Sequence, residues 1–292
     1  MKQFPSLALT AASILLSSHT FAQQQLNKTA FMKAPESVAV YNNYYYIADI
    51  GEGGDPTKKD GNGIIFRMDK KGGSTIFAQG LDAPKGAFVL HHTLFVADVD
   101  KVKGYDLDNG KELYNIDLAP ASIFLNDITA LNDSTLAVSA TDVNKIFLVH
   151  LGKNPRTEEL VYTNPINGAN GIVYDAKSKR LYVCGFGNDN KPDGQLGYID
   201  MGAAEKTFTT LTGRLGYYDG LALTANRKTL IFSDWIAFEK KGVILELDLA
   251  SGKITTLNKE GIAGPADFTL DAGDIITPEM MAGNVLKYSL KK

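Results

Sequence analysis

One local pattern recurs six times along this 292-residue chain. A turn motif with a polar member leads into an apolar strand, a second strand of the Tyr-Ile-Ala-Asp kind follows, then a third with alternating apolar residues, and then a short fourth. The turn motifs are Pro35-Glu36-Ser37, Pro84-Lys85-Gly86, Leu125-Asn126-Asp127, Ala169-Asn170-Gly171, Tyr218-Asp219-Gly220 and Ala266-Asp267-Phe268. Their polar members, Glu36, Lys85, Asn126, Asn170, Asp219 and Asp267, lie 49, 41, 44, 49 and 48 residues apart. That is the blade period of a β-propeller, not of a helical solenoid. The expected fold is all-β, a single closed six-bladed propeller over residues 23–292, with six equivalent side chains in a ring around its axis.

The segment before the first repeat is of another kind. Residues 1–22 carry Lys2, an apolar stretch through residues 7–16, and a Thr20-Phe21-Ala22 end suited to signal peptidase, too short for a membrane span. A mature chain starting near Gln23, periplasmic or secreted, is expected, because nothing later approaches the roughly 20 apolar residues of a spanning helix. Cys184 is the only cysteine, so no internal disulfide can form, and in the apolar run 181–184 it reads as a core residue. A net charge of −3 with acids and bases interspersed gives no footprint for nucleic acid or an anionic membrane. A monomer acting on a small molecule is the expectation.

Five repeats show a fourth strand, but the sixth stops after its third, whereas residues 26–31 form an unassigned strand-like segment ahead of the first turn motif. The segment is expected to supply the outer strand of blade six, leaving no open seam. If each inner strand starts at the top of the channel, the loops between second and third strands also lie at the top. Those loops are long at 51–62, 187–194 and 236–241, which makes them candidate pocket walls. His91 and His92 fall in a bottom turn. Asp49, Asp98 and Asp234, at the ends of second strands, read as turn or inter-blade hydrogen-bond partners rather than ligands.

Glu36, Asn126, Asn170 and Asp219 offer four oxygen donors, two of them anionic, which suits Ca²⁺ or another divalent cation at about 2.3–2.6 Å and argues against zinc or copper. The arrangement resembles the senescence marker protein/gluconolactonase/luciferin-regenerating-enzyme family, the regucalcin-like six-bladed propellers. The resemblance implies a metal held by a Glu opening blade one, an Asn of an Asn-Asp pair, an Asn of an Asn-Gly pair and an Asp of an Asp-Gly pair. These roles fall on Glu36, Asn126, Asn170 and Asp219. Two departures stand out. Phe124 occupies the place of the Arg in the family's Arg-x-Asn-Asp-Gly, and Glu36-Ser37-Val38 replaces Glu-Gly-Pro.

The function so implied is a metal-dependent hydrolase of lactones or related esters. Asp219 and Asp267 are the candidate catalytic residues, and Lys85, Phe124, Tyr218 and Trp235 the candidate substrate-binding residues. Lys85 can bind an anionic substrate, or its ammonium can stand in for the metal by pairing with Glu36. The alternative is a non-catalytic NHL-like propeller binding a peptide, glycan or envelope partner, in which Asn-Gly and Asp-Gly serve only as turn formers.

Overall fold

The computed structural model describes residues 23–27 and 32–289, and the expected leader 1–22 lies outside them. Six antiparallel sheets of four strands in order follow one another along the chain, and the described residues contain no α-helix, only two single 3₁₀ turns. Blade one runs Pro35–Tyr41, Tyr44–Asp49, Gly63–Asp69 and Ser74–Leu81 from the axis outward. The remaining inner strands are Pro84–Leu90, Leu125–Asn132, Ala169–Asp175, Tyr218–Leu223 and Thr269–Asp271. Blade five carries an extra two-residue strand, Ile262–Ala263, against Lys240–Asp248.

Blade six is closed by the other end of the chain. Gln23–Gln25 pairs antiparallel with Asn284–Ser289, with Gln24 opposite Lys287. Leu26 N donates to Val285 O at 2.8 Å, and Asn27 makes a reciprocal pair, its Nδ2 to Gly283 O and its Oδ1 from Val285 N. The closing strand therefore precedes the expected 26–31 segment, of which 28–31 lie outside the described residues. An outermost strand needs backbone donors more than apolar side chains, and its three glutamines are all exposed.

Period-two alternation gives each blade two apolar faces, and six apolar clusters are sandwiched between neighbouring blades, with a small seventh of Ala34, Ile50, Ala83 and Val99. Leu136, Val138 and Phe147 of blade three meet Phe95 and Val102 of blade two, while Leu26, Ile276 and Val285 meet Val38 and Ile47 across the closure. Truncating one such residue, for example Leu136→Ala, costs about 2–5 kcal/mol. Cys184 is buried in the cluster between blades four and five, as its apolar run implies.

In four of the six blades a carboxylate at the end of the second strand ties down the loop before the inner strand. Asp49 accepts from the amides of Lys33, Ala34 and Gly51, Asp98 from Asp82 and Ala83, and Asp234 from Tyr217 and Ile236. Glu279 does the same for Ala263. The hydrogen-bonding roles of Asp49, Asp98 and Asp234 are those expected from sequence, whereas Glu279 is not singled out there.

Candidate functional site

The first pair on each inner strand fixes the phase of the ring. Pro35 faces Asp49, Pro84 faces Asp98, Leu125 faces Ala140, Ala169 faces Gly185, Tyr218 faces Asp234, and Pro265 faces Glu279. The next residue is the ring position, which gives Glu36, Lys85, Asn126, Asn170 and Asp219 as expected but Ala266 in blade six. Asp267 is one residue further on, equivalent to Asp127. In the first five blades the pairing shifts register at this point, so a β-bulge lets two successive residues reach toward the axis at different depths.

The ring position faces an upper cavity of about 1050 Å³, lined by Glu36, Lys85, Asn126, Asn170 and Asp219 with Phe124, Phe186, Trp235 and Phe238. The long loops supply Gly53, Gly54, Pro56 and residues 187–190, as expected of pocket walls. Asp127 and Asp267 instead line a smaller recess of about 300 Å³ at the opposite end of the channel. The catalytic expectation for Asp267 is therefore corrected. Its carboxylate accepts from the Ser37 hydroxyl, and Asp127 accepts from Ile172 N at 2.8 Å, so both serve to bind blades together.

Tyr218 also departs from expectation. It precedes the ring position and points between blades, fully buried, with its ring edge-on to Phe232 at 5.1 Å and its hydroxyl accepting from Arg214. It does not line the cavity. His91 and His92 sit in the lower turn, where His92 lies beside Asp106 and Asp108, remote from the upper cavity.

Gly86, Gly171 and Gly220 follow ring residues, and none has a positive φ. A Cβ on Gly220 would lie 2.8 Å from Asp267 Cα, and one on Gly171 2.2 Å from Asp219 O. These glycines are required by the close approach of adjacent inner strands, so turn formation does not explain the Asn-Gly and Asp-Gly pairs.

Four buried oxygens on the floor have no hydrogen-bond partner: Glu36 Oε2, Asn126 Oδ1, Asn170 Oδ1 and Asp219 Oδ1. Their neighbours orient them. Trp235 Nε1 donates to Asp219 Oδ2 at 2.9 Å, and Asn126 Nδ2 donates to Thr141 Oγ1, whose hydroxyl donates on to Ala169 O. Leaving buried acceptors unpaired costs about 1–3 kcal/mol each, and more for a carboxylate, so four together mark a place prepared for a positive ligand. Their chemistry fits a hard divalent cation, with two charges to match and two neutral carbonyl oxygens.

Burial, then the charges of Asp219 and Asp267, hold the Glu36 carboxyl well above its ordinary range, although Lys85 opposes this. Burial and Asp267 push Asp219 up to about 8, against the opposing Trp235 hydrogen bond. Lys85 is buried and lowered to about 8 by desolvation, with Glu36 the leading opposing influence. Its Nζ donates to Pro56 O and Ala83 O, both at 2.8 Å, and lies 5.2 Å from the centre of the Phe124 ring. Glu36 has no ion pair with it within 4.0 Å among the described residues. Lys85 does not substitute for a metal by pairing with Glu36.

Sequence reasoning placed the 236–241 loop at the pocket without singling out Phe238, and it missed Thr141. Phe238 lies in a loop without periodicity, and Thr141 is identified only by its contact with Asn126.

No protein-family model matches the chain, and no curated protein matches it in sequence. Among solved structures, it is similar to a gluconolactonase from Xanthomonas campestris, with TM-score 0.69 at 11% identity over 93% of this chain and 90% of that one. It is similar to a catalytically inactive histidine-to-alanine variant of virginiamycin B lyase from Staphylococcus aureus with quinupristin, with TM-score 0.65 at 14% identity over 93% and 100% of the two chains. A luciferin-regenerating enzyme matches with TM-score 0.63 at 13% identity over 92% and 95%. What the chain shares with these structures is the six-bladed propeller fold.

Proposed function

We propose that the protein is a divalent-metal-dependent hydrolase of lactones or related esters, with Ca²⁺ as the fitting ion and Glu36, Asn126, Asn170 and Asp219 as its holders. The observation that carries this reading is the set of four unpartnered buried oxygens, one from each of four blades, on the floor of one cavity. Lactonase-type chemistry in structurally similar propellers supports it. When bound, the cation would supply Lewis-acid polarisation of a substrate carbonyl.

The chain's own groups then divide the remaining work. Asp219, held by Trp235, is placed to take a proton from an attacking water. Lys85 lines the same cavity and meets the anionic part of a substrate. The concave, charged floor favours a small substrate over the broad flat surface that a macromolecular binder needs. No histidine lines the cavity among the described residues, so a reaction like that of a lyase inactivated by a histidine-to-alanine change has no obvious agent here.

Metal content of the purified protein, with hydrolysis of a lactone and ester panel before and after chelation, tests the reading. Stoichiometric Ca²⁺ and chelator-sensitive turnover are expected. Absence of both would overturn it. We also propose that the protein is exported with cleavage after Ala22, which leaves the Gln23–Gln25 strand whole. N-terminal sequencing of the mature protein checks this.

A further inference from the structure

The upper cavity has two unlike sides. Blades one to three give it Glu36, Lys85 and Asn126 with the lone ring of Phe124, whereas blades four and five, besides Asn170 and Asp219, give it a wall made of a cluster of aromatic rings. Phe186 lies 5.6 Å from Trp235 and 6.1 Å from Phe238, and Trp235 and Phe238 are 5.6 Å apart. Tyr217 backs this wall, 5.3 Å from Phe186 and 5.4 Å from Phe238, and its hydroxyl donates to Asn190 O at 2.6 Å. Each ring is held by others in edge-on or tilted contact, so the wall is built in advance of any ligand.

The wall also adjoins the cation floor. Trp235 reaches Asp219 through its indole N–H, so a group packed on Trp235 is close to a carbonyl above the four oxygens. Phe238 belongs to the cluster yet is 49% exposed, and Met281, which also lines the cavity, is 52% exposed. Apolar surface has thus been left open at the mouth. No arginine lines the cavity among the described residues, and the three rings of the wall offer apolar faces to a ligand.

Resting on the hydrolase reading, we propose that the substrate class is aryl-substituted, a benzo-fused lactone or an aryl ester whose ring seats on Trp235, Phe186 and Phe238. The short reach from wall to floor selects a ring directly joined to the ester group over one on a long tail. In the reaction, the water oxygen bonds to the carbonyl carbon, the carbonyl-to-phenolic-oxygen bond breaks, and a water proton ends on the phenolic oxygen. An aryl ester yields a carboxylic acid and a phenol, and a benzo-fused lactone with a phenolic ring oxygen yields one molecule that carries both groups.

Trp235 is the only tryptophan, so fluorescence excited selectively at tryptophan reads this site. The probes are a benzo-fused six-membered lactam and the monocyclic six-membered lactam, compared by titration in excess Ca²⁺. The fused ring is expected to bind at least about tenfold more tightly, since packing against several aromatic rings adds to area burial. Phe238→Ala and Phe186→Leu should each remove most of that preference while keeping the thermal midpoint and the Ca²⁺ response. Equal affinities, no fluorescence change with either probe, or a preference unchanged in both variants would overturn the proposal. Turnover of the benzo-fused lactone is assayed separately. Selective binding without turnover supports the aryl subsite and counts against hydrolysis, whereas turnover with no aryl preference does the reverse.

Discussion

Trp235 Nε1 donates a 2.9 Å hydrogen bond to Asp219 Oδ2, and Asp219 Oδ1 is left buried with no partner. One side chain thus fixes the carboxylate and leaves its second oxygen free for a cation. Hydrogen bonds that orient a ligand change metal affinity by about 10–100-fold when removed. Trp235→Phe should weaken Ca²⁺ binding by about tenfold or more with the fold intact, as read by calorimetric titration. An unchanged affinity would mean that Asp219 is not oriented by this contact.

Lys85 brings a positive charge to the same cavity, and it opposes the upward shift of Glu36. A cation bound beside Glu36 feels the same charge with the opposite consequence. Lys85→Met should therefore tighten Ca²⁺ by about threefold or more, through loss of repulsion across a poorly solvated distance. It should also lower activity on anionic esters relative to neutral ones. Weaker Ca²⁺ binding in this variant would contradict the placement of the ion.

The cation-free protein should respond to pH in a way the buried cluster dictates. Asp219 is pushed up to about 8 and Glu36 is also raised, so the folded state keeps protons that the unfolded chain releases near pH 4. Stability from these groups is full below that point and is lost as pH rises toward 8. Lys85, lowered to about 8, acts only above that, where stability rises again toward its ordinary value. In chelator the thermal midpoint should fall by roughly 5 °C or more between pH 5 and 8. Excess Ca²⁺ should stabilise most near pH 8, where the carboxylates need not give up protons to bind it. Differential scanning calorimetry at both pH values, with and without Ca²⁺, checks the sign, and a rising midpoint in chelator would refute it.

The blade count and five of the six ring residues are legible because the repeat period and the Glu, Lys, Asn and Asp identities survive in one dimension. The sixth ring position is not read correctly from its polar residue. Asp267 looks equivalent to Asp219, yet Pro265 pairs with Glu279 as Pro35 pairs with Asp49, which puts Ala266 in the ring. Aligning the prolines would have supplied the phase, and a one-residue slip in a strand turns a side chain to the other direction. Tyr218 is misassigned for the same reason, since it sits one position before Asp219 and packs between blades. The closing strand is missed by three residues because three exposed glutamines carry no apolar signal, only backbone pairing.

Closure of the ring yields the last expectation. Asn27 is buried and joins the first described segment to blade six by two hydrogen bonds, Nδ2 to Gly283 O at 2.9 Å and Oδ1 from Val285 N at 2.8 Å. Replacing its amide by a methyl leaves both a buried carbonyl and a buried amide unpaired. At about 1–3 kcal/mol for each of the two orphaned groups, Asn27→Ala should destabilise the protein by roughly 2–6 kcal/mol. Gln24→Ala, in the adjoining strand and exposed, removes no backbone pairing and should cost under about 0.5 kcal/mol. Equilibrium urea unfolding of the two variants against wild type gives the comparison. Because closure joins both ends of the chain, the Asn27→Ala loss should appear as a lower midpoint of one cooperative transition, with the Ca²⁺ response retained below it. Equal midpoints for the two variants would show that the N-terminal strand is not what holds blade six to the rest of the ring.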